Sequence, residues 1–101
     1  MIVRIVRLTF RPDAVDAFLS HFDAAAPKIR ATDGCQHLDL WRATRYPNIC
    51  TTHSRWASRV ALDAYRHSDL FRSTWAQVKP LFAAPPQATS YTVARAHPTD
   101  A

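Results

Sequence analysis

Four aromatic residues gather in one part of the chain: Trp56, Tyr65, Phe71 and Trp75, with Arg72 close to them in sequence. A pocket lined by aromatics with a few polar groups is the usual form of a small-molecule site. The Tyr65 hydroxyl needs a polar partner if it is buried. The same residues also suit an ordinary core, with Phe71 and Trp75 at helical spacing and Trp56 as a plug beneath helices. Other chemistries are poorly served. Gly34 is the chain's sole glycine, so no glycine loop can cradle a phosphate. Neither Cys-x-x-Cys nor His-Glu-x-x-His occurs. The five histidines, His21, His37, His53, His67 and His97, show no metal-ligand spacing. His37 and His53 can approach on one sheet face, but no third ligand is evident, and no metal is expected. No strained nucleophile elbow supports a Ser-His-Asp triad.

The elements that must position the aromatic cluster read as follows. Ile2 to Phe10 is a β-branched strand without Gly or Pro. Its faces are Ile2, Arg4, Val6, Leu8, Phe10 and Val3, Ile5, Arg7, Thr9. Both carry aliphatics, so both want cover. Arg11-Pro12-Asp13 opens a helix, with proline suited to the first turn. Val15, Phe18, Leu19 and Phe22 form its buried stripe. Pro27 is expected to break or kink it. Asp33-Gly34 marks a turn.

Cys35 to Arg45 and Ile49 to Trp56 read as a hairpin around Pro47-Asn48. Pairing Arg45 with Ile49 puts Leu38, Leu40, Ser54 and Trp56 on one face. His37, Asp39, Trp41, His53 and Arg55 take the other, with Asp39 opposite Arg55 as a favourable cross-strand pair. Cys35 and Cys50 are then about 30 Å apart along the strands at ~3.3 Å per residue. No disulfide spans that gap.

Ser58 and Ser68 are candidate N-caps. They open helices over Ser58 to Arg66 and Asp69 to about Lys79, the second stopped by Pro80. Gln87 to Ala94 reads as a last strand. The order β-α-β-β-α-α-β is the split ferredoxin-like pattern of an α+β fold with an antiparallel sheet. Helices cover one sheet face and nothing remains for the other. A twofold dimer using that face twice is the simplest solution.

Composition narrows the class. A chain of 101 residues with 48% hydrophobic content is one globular domain, over residues 1–95, with a flexible tail at 96–101. No apolar run approaches the roughly 20 residues that span a bilayer. Arginines interrupt the N-terminus, which lacks a signal peptide's apolar run, so a cytoplasmic location is expected. The formal charge is +5, and eleven of the thirteen basic residues are arginine. They are scattered rather than striped, which argues against nucleic-acid binding. An anionic small molecule is the better partner for such a field.

The run Trp56-x-Ser58-x-x-Ala61-Leu62-x-x-Tyr65 resembles the antibiotic biosynthesis monooxygenase family of small dimeric α+β barrels, over roughly residues 2 to 95. The resemblance implies a homodimer through the sheet face. It also implies oxidation of an electron-rich aromatic (a phenol, anthrone or quinol) by molecular oxygen without metal, flavin or other cofactor. In that reading Trp56 lines the pocket, and Tyr65 and Arg72 hydrogen-bond phenolic or carbonyl oxygens. His53 is a candidate proton acceptor only if its face opens to the cavity. Some departures bear on the chemistry. Quinol-oxidising relatives often carry His where this chain has Tyr65 and Leu70. The heme-degrading branch uses Asn, Trp and an axial His at positions corresponding to Val6, Tyr65 and Trp75. The alternatives are a non-catalytic ligand-binding or regulatory dimer on the same scaffold, and an isomerase or decarboxylase-like enzyme with His53 or Asp39 as base.

Overall fold

A strand built of Ile, Val, Leu and Thr has little choice but to sit inside a sheet, and Ile2–Thr9 (β1) does so. The structure is a computed structural model that describes residues 1–98. The expected tail therefore lies partly outside the described residues, at 99–101. β1 is flanked by Ile49–Trp56 (β3) on one side and by Gln87–Tyr91 (β4) on the other. Cys35–Arg42 (β2) flanks β3. The order is β2-β3-β1-β4 and every pairing is antiparallel, as the α+β ferredoxin-like reading requires.

The ends of two strands differ from expectation. Phe10 leaves the ladder and makes a lone bridge to Phe82. β4 stops at Tyr91 rather than Ala94, because Tyr91 already pairs with Val3 and β1 has little backbone left to offer.

After a 3-10 turn over Pro12–Ala14, helix α1 runs Val15–Arg30 without a break. The expected interruption at Pro27 does not occur. Asp23 and Pro27 are both exposed, so the carbonyl freed by proline's missing N–H sits on the wet side. Buried Ile29 anchors the last turn, and the Ala31 N–H closes it on the Pro27 carbonyl at 3.1 Å. Gly34 follows at φ +83°, where a Cβ would overlap the side chain of Ala61.

Helix α2, Arg59–Arg66, starts at Ser58, whose Oγ accepts from the Ala61 N–H at 3.1 Å. Helix α3, Asp69–Val78, starts at Ser68, whose Oγ accepts from the Phe71 N–H at 3.2 Å. Both caps fall where the sequence put them. Pro80 ends α3 in a short 3-10 turn over Lys79–Leu81.

The β2–β3 register is shifted by two residues. Asp39 lies opposite His53, not Arg55, and Arg42 lies opposite Cys50. The turn is longer than expected, with its neck closed by the Ala43 N–H on the Ile49 carbonyl at 2.9 Å. Arg42 Nε also ties down the Pro47 carbonyl at 2.7 Å. A two-residue shift changes every partner and no face. Cys35 and Cys50 are buried and free, separated by the length of the hairpin.

All three helices cover the face that carries Val6, Leu8 and Trp56. Leu8, Phe10, Val15, Phe18, Cys50 and Val78 form one core cluster there, and Cys35, Trp56 and Leu62 a second. Phe10 is wholly buried and stacks on Phe18 and Phe82, with ring centroids 4.2 and 5.2 Å away. Among the described residues, no helix covers the opposite face. Among the described residues, no helix is long and apolar enough to cross a membrane.

Candidate functional site

A cavity of about 430 Å³ touches both core clusters, between the sheet and the three helices. That lies within the range of roughly 300–1,000 Å³ usual for small-molecule sites. Its walls follow from two periodicities. Alternate residues of β1 and β3 supply the floor: Arg4, Val6 and Leu8 with Thr52, Ser54 and Trp56. One face each of α2 and α3 supplies the roof: Leu62, Tyr65 and Arg66, then Phe71, Trp75 and Val78.

The aromatic side chains run as a chain of contacts along one wall. Trp56 stacks on Tyr65 at 4.8 Å, Tyr65 meets Phe71 edge-on at 5.3 Å, and Phe71 lies parallel to Trp75 at 6.0 Å. Trp56 is almost wholly buried, and its Nε1–H donates to Ser54 Oγ at 3.0 Å. The indole is thus fixed and its polar atom already satisfied, so it offers a ligand its surface and not a hydrogen bond. Burial pushes the Tyr65 phenol up to about 12, with nearby Cys35 adding to the effect. Tyr65 therefore stays protonated across the physiological range and can donate, but it is a poor base.

Two guanidiniums complete the cavity. Arg4 projects from the apolar face of β1, and its Nη1 donates to Ser90 Oγ at 2.9 Å. Burial is the main cause holding its pKa below the usual arginine value, and repulsion from Arg66 adds to it; Asp63 acts in the opposite direction. An arginine kept on an apolar face beside a second arginine is unfavourable for folding alone. It is favourable once an anion or a developing oxyanion sits between them.

Among the described residues, the lining contains no histidine and no carboxylate. Of the residues singled out from the sequence, Val6, Trp56, Tyr65, Phe71 and Trp75 line this cavity. His53 does not: it lies on the helix-free face, opposite Asp39 and Ile5. Arg72 does not either. It is exposed on α3, where its Nη1 pairs with Asp69 Oδ1 at 3.3 Å. Sequence reasoning passed over Arg4, Arg66, Thr52, Ser54 and Thr74. The signal for Arg4 was present, as a lone charge among Ile2, Val6 and Leu8 on one strand face.

The family model described as antibiotic biosynthesis monooxygenase matches residues 1–77. The chain belongs to this family. It is 36% identical over 81 residues to a Mycobacterium tuberculosis protein named "Putative monooxygenase Rv0793", covering 80% of this chain and 79% of that one. The solved structure of Rv0793 superposes with a TM-score of 0.83 at 31% identity, covering 98% of each chain. A Deinococcus radiodurans structure described as a "putative antibiotic biosynthesis monooxygenase" has a TM-score of 0.89 over both full chains. At 15% identity, that likeness is one of fold.

Proposed function

We propose that this chain is a cofactor-independent monooxygenase that oxidises an electron-rich phenol, anthrone or quinol with molecular oxygen. The observation that carries the reading is the aromatic-walled cavity with Arg4 and Arg66 on its lining and Tyr65 as a protonated donor. The aromatic wall binds a planar ring by stacking. The guanidiniums favour the phenolate or enolate form and so lower the substrate's own pKa. An ionised anthrone carries an electron pair on its reacting carbon. That pair passes to dioxygen and a C–O bond forms, giving a hydroperoxide after protonation. Loss of water from it leaves a carbonyl: one oxygen atom enters the product, and the other leaves in water with the two hydrogens of the methylene. For a quinol, two electrons and two protons pass to dioxygen, giving the quinone and hydrogen peroxide; no oxygen atom is inserted, so on that substrate the same cavity acts as an oxidase. With no imidazole or carboxylate among the described residues of the lining, the substrate proton leaves to solvent.

That same missing base favours a second reading, a non-catalytic binder of an aromatic anion on the same scaffold. In either case the helix-free face is read as the contact of a homodimer. Val3 and Ile5 lie on it, with Trp41 and Tyr91 about half-exposed there. Oxygen uptake by metal- and flavin-free protein, offered anthrones, catechols and hydroquinones, separates the two readings. Uptake above heat-killed protein, with quinone formed and a lower rate in Tyr65→Phe, supports the enzyme. Saturable binding without uptake supports the binder and removes the monooxygenase reading.

A further inference from the structure

The sheet's helix-free face carries a second constellation. Residues of one parity share a face, which brings His37, Asp39, Trp41 and His53 together there. The register sets Asp39 directly opposite His53. His37 Nε2 is 2.7 Å from Asp39 Oδ2, and His53 Nδ1 is 3.8 Å from the same oxygen. The three ligand atoms all lie within 4.8 Å of one another.

We propose that His37 Nε2, Asp39 Oδ2 and His53 Nδ1 form a binding site for a divalent transition cation of the zinc type. Two imidazoles and one carboxylate are the donor set of open zinc sites, whereas calcium and magnesium call for oxygen alone. Zinc bonds of about 2.0–2.1 Å place tetrahedral ligands roughly 3.3 Å apart. The 2.7 and 3.8 Å separations straddle that spacing, so small side-chain rotations suffice. The platform is stiff, because the three residues stand on adjacent paired strands. The Trp41 ring stacks on His53 at 4.9 Å and 28°. His53 Nδ1 is buried and has no hydrogen-bond partner among the described residues, so its lone pair is free to act as a ligand. Asp39 and His37 are partly exposed in the single chain; in the proposed homodimer this face meets the partner's sheet, so the fourth position falls to a water held between the two sheets. Arg55 lies opposite His37 on the same face and opposes a cation. Its charge weakens binding relative to the same three ligands without it. The cavity on the other side of the sheet plays no part, so the site stands or falls independently of the monooxygenase reading.

The test is titration of metal-stripped protein with Co²⁺, read by visible d–d absorption, followed by displacement with Zn²⁺ in a calorimeter. The expected result is one ion per chain, an intense cobalt spectrum of low coordination number, and full displacement by zinc. Asp39→Asn and His37→Gln each weaken binding roughly tenfold or more with unchanged melting of the metal-free protein, while His97→Ala changes nothing. No saturable cobalt binding overturns the proposal. So does an unchanged affinity in both Asp39→Asn and His37→Gln.

Discussion

Arg4→Met separates function from folding. The substitution keeps most of the aliphatic stem and removes the charge. In the folded protein that charge is disfavoured by burial first and by Arg66 second. Among the described residues its one side-chain partner is Ser90, in an exposed pair. Losing an exposed hydrogen bond costs about 0.5 kcal/mol. Relief of burial and repulsion acts the other way, so stability should hold within about 1 kcal/mol or rise. Ligand binding should behave otherwise. A hydrogen bond from a charged donor contributes about 1.5–3 kcal/mol. At 1.4 kcal/mol per decade, that is roughly tenfold to just over a hundredfold in affinity. Arg66 remains and compensates in part, so the single variant should fall at the low end and Arg4→Met/Arg66→Met at the high end. The assay is quenching of tryptophan fluorescence by a hydroxyanthraquinone, which cannot be oxidised to the same product, against its O-methylated analogue. The phenol should lose affinity in the variant and the methyl ether should not. Equal losses for both compounds, or none for the phenol, would refute the role given to Arg4. A drop in urea stability of about 2 kcal/mol or more would show that the guanidinium serves the fold instead.

Other perturbations have defined outcomes. Gly34→Ala meets a left-handed backbone and the Ala61 side chain together, so a loss of about 2–4 kcal/mol is expected in urea denaturation; adding Ala61→Gly should restore the steric part. Phe10→Ala empties a wholly buried position between Phe18 and Phe82, and the denaturation midpoint should report about 3–5 kcal/mol lost. Tyr65, at about 12 in the fold against an ordinary value of 10.0, makes stability fall as pH rises between those values, because the unfolded chain loses the proton first. The fall attributable to this residue is some 2–3 kcal/mol, and Tyr65→Phe should flatten that part of the stability–pH curve between pH 9 and 12.

Much of the fold was legible because local signals agreed with one another. Ser58 and Ser68 each stand immediately before an apolar repeat, and each caps its helix. Trp56 closes a strand and plugs the core beneath α2, as its position beside Ser58 suggested. Pro27 misled because a proline's cost depends on which side of the helix it occupies, and sequence alone does not show that its carbonyl partner faces water. The hairpin misled by two residues because Tyr46-Pro47-Asn48 suggested a tight turn, while the neck closes further back at Ala43. Face assignments survived, so the cavity wall was readable. Partner assignments did not, so Asp39 was matched to Arg55 and the constellation with His53 was missed.

The sheet divides the chain's polar chemistry by parity. The helix side holds guanidiniums, hydroxyls and a phenol that stays protonated. The imidazoles of His37 and His53 and the carboxylate of Asp39 stand on the other side. A strand cannot turn one residue through the sheet without a bulge, and β1 and β3 pair without a break through the cavity floor. A proton acceptor from these strands is thus barred from the cavity by the same alternation that builds it. Any oxidation performed there must draw on the acidity of the bound ring, raised by Arg4 and Arg66. Substrates that ionise readily should be the ones turned over, and an aromatic hydrocarbon without an ionisable group should be bound and left unchanged.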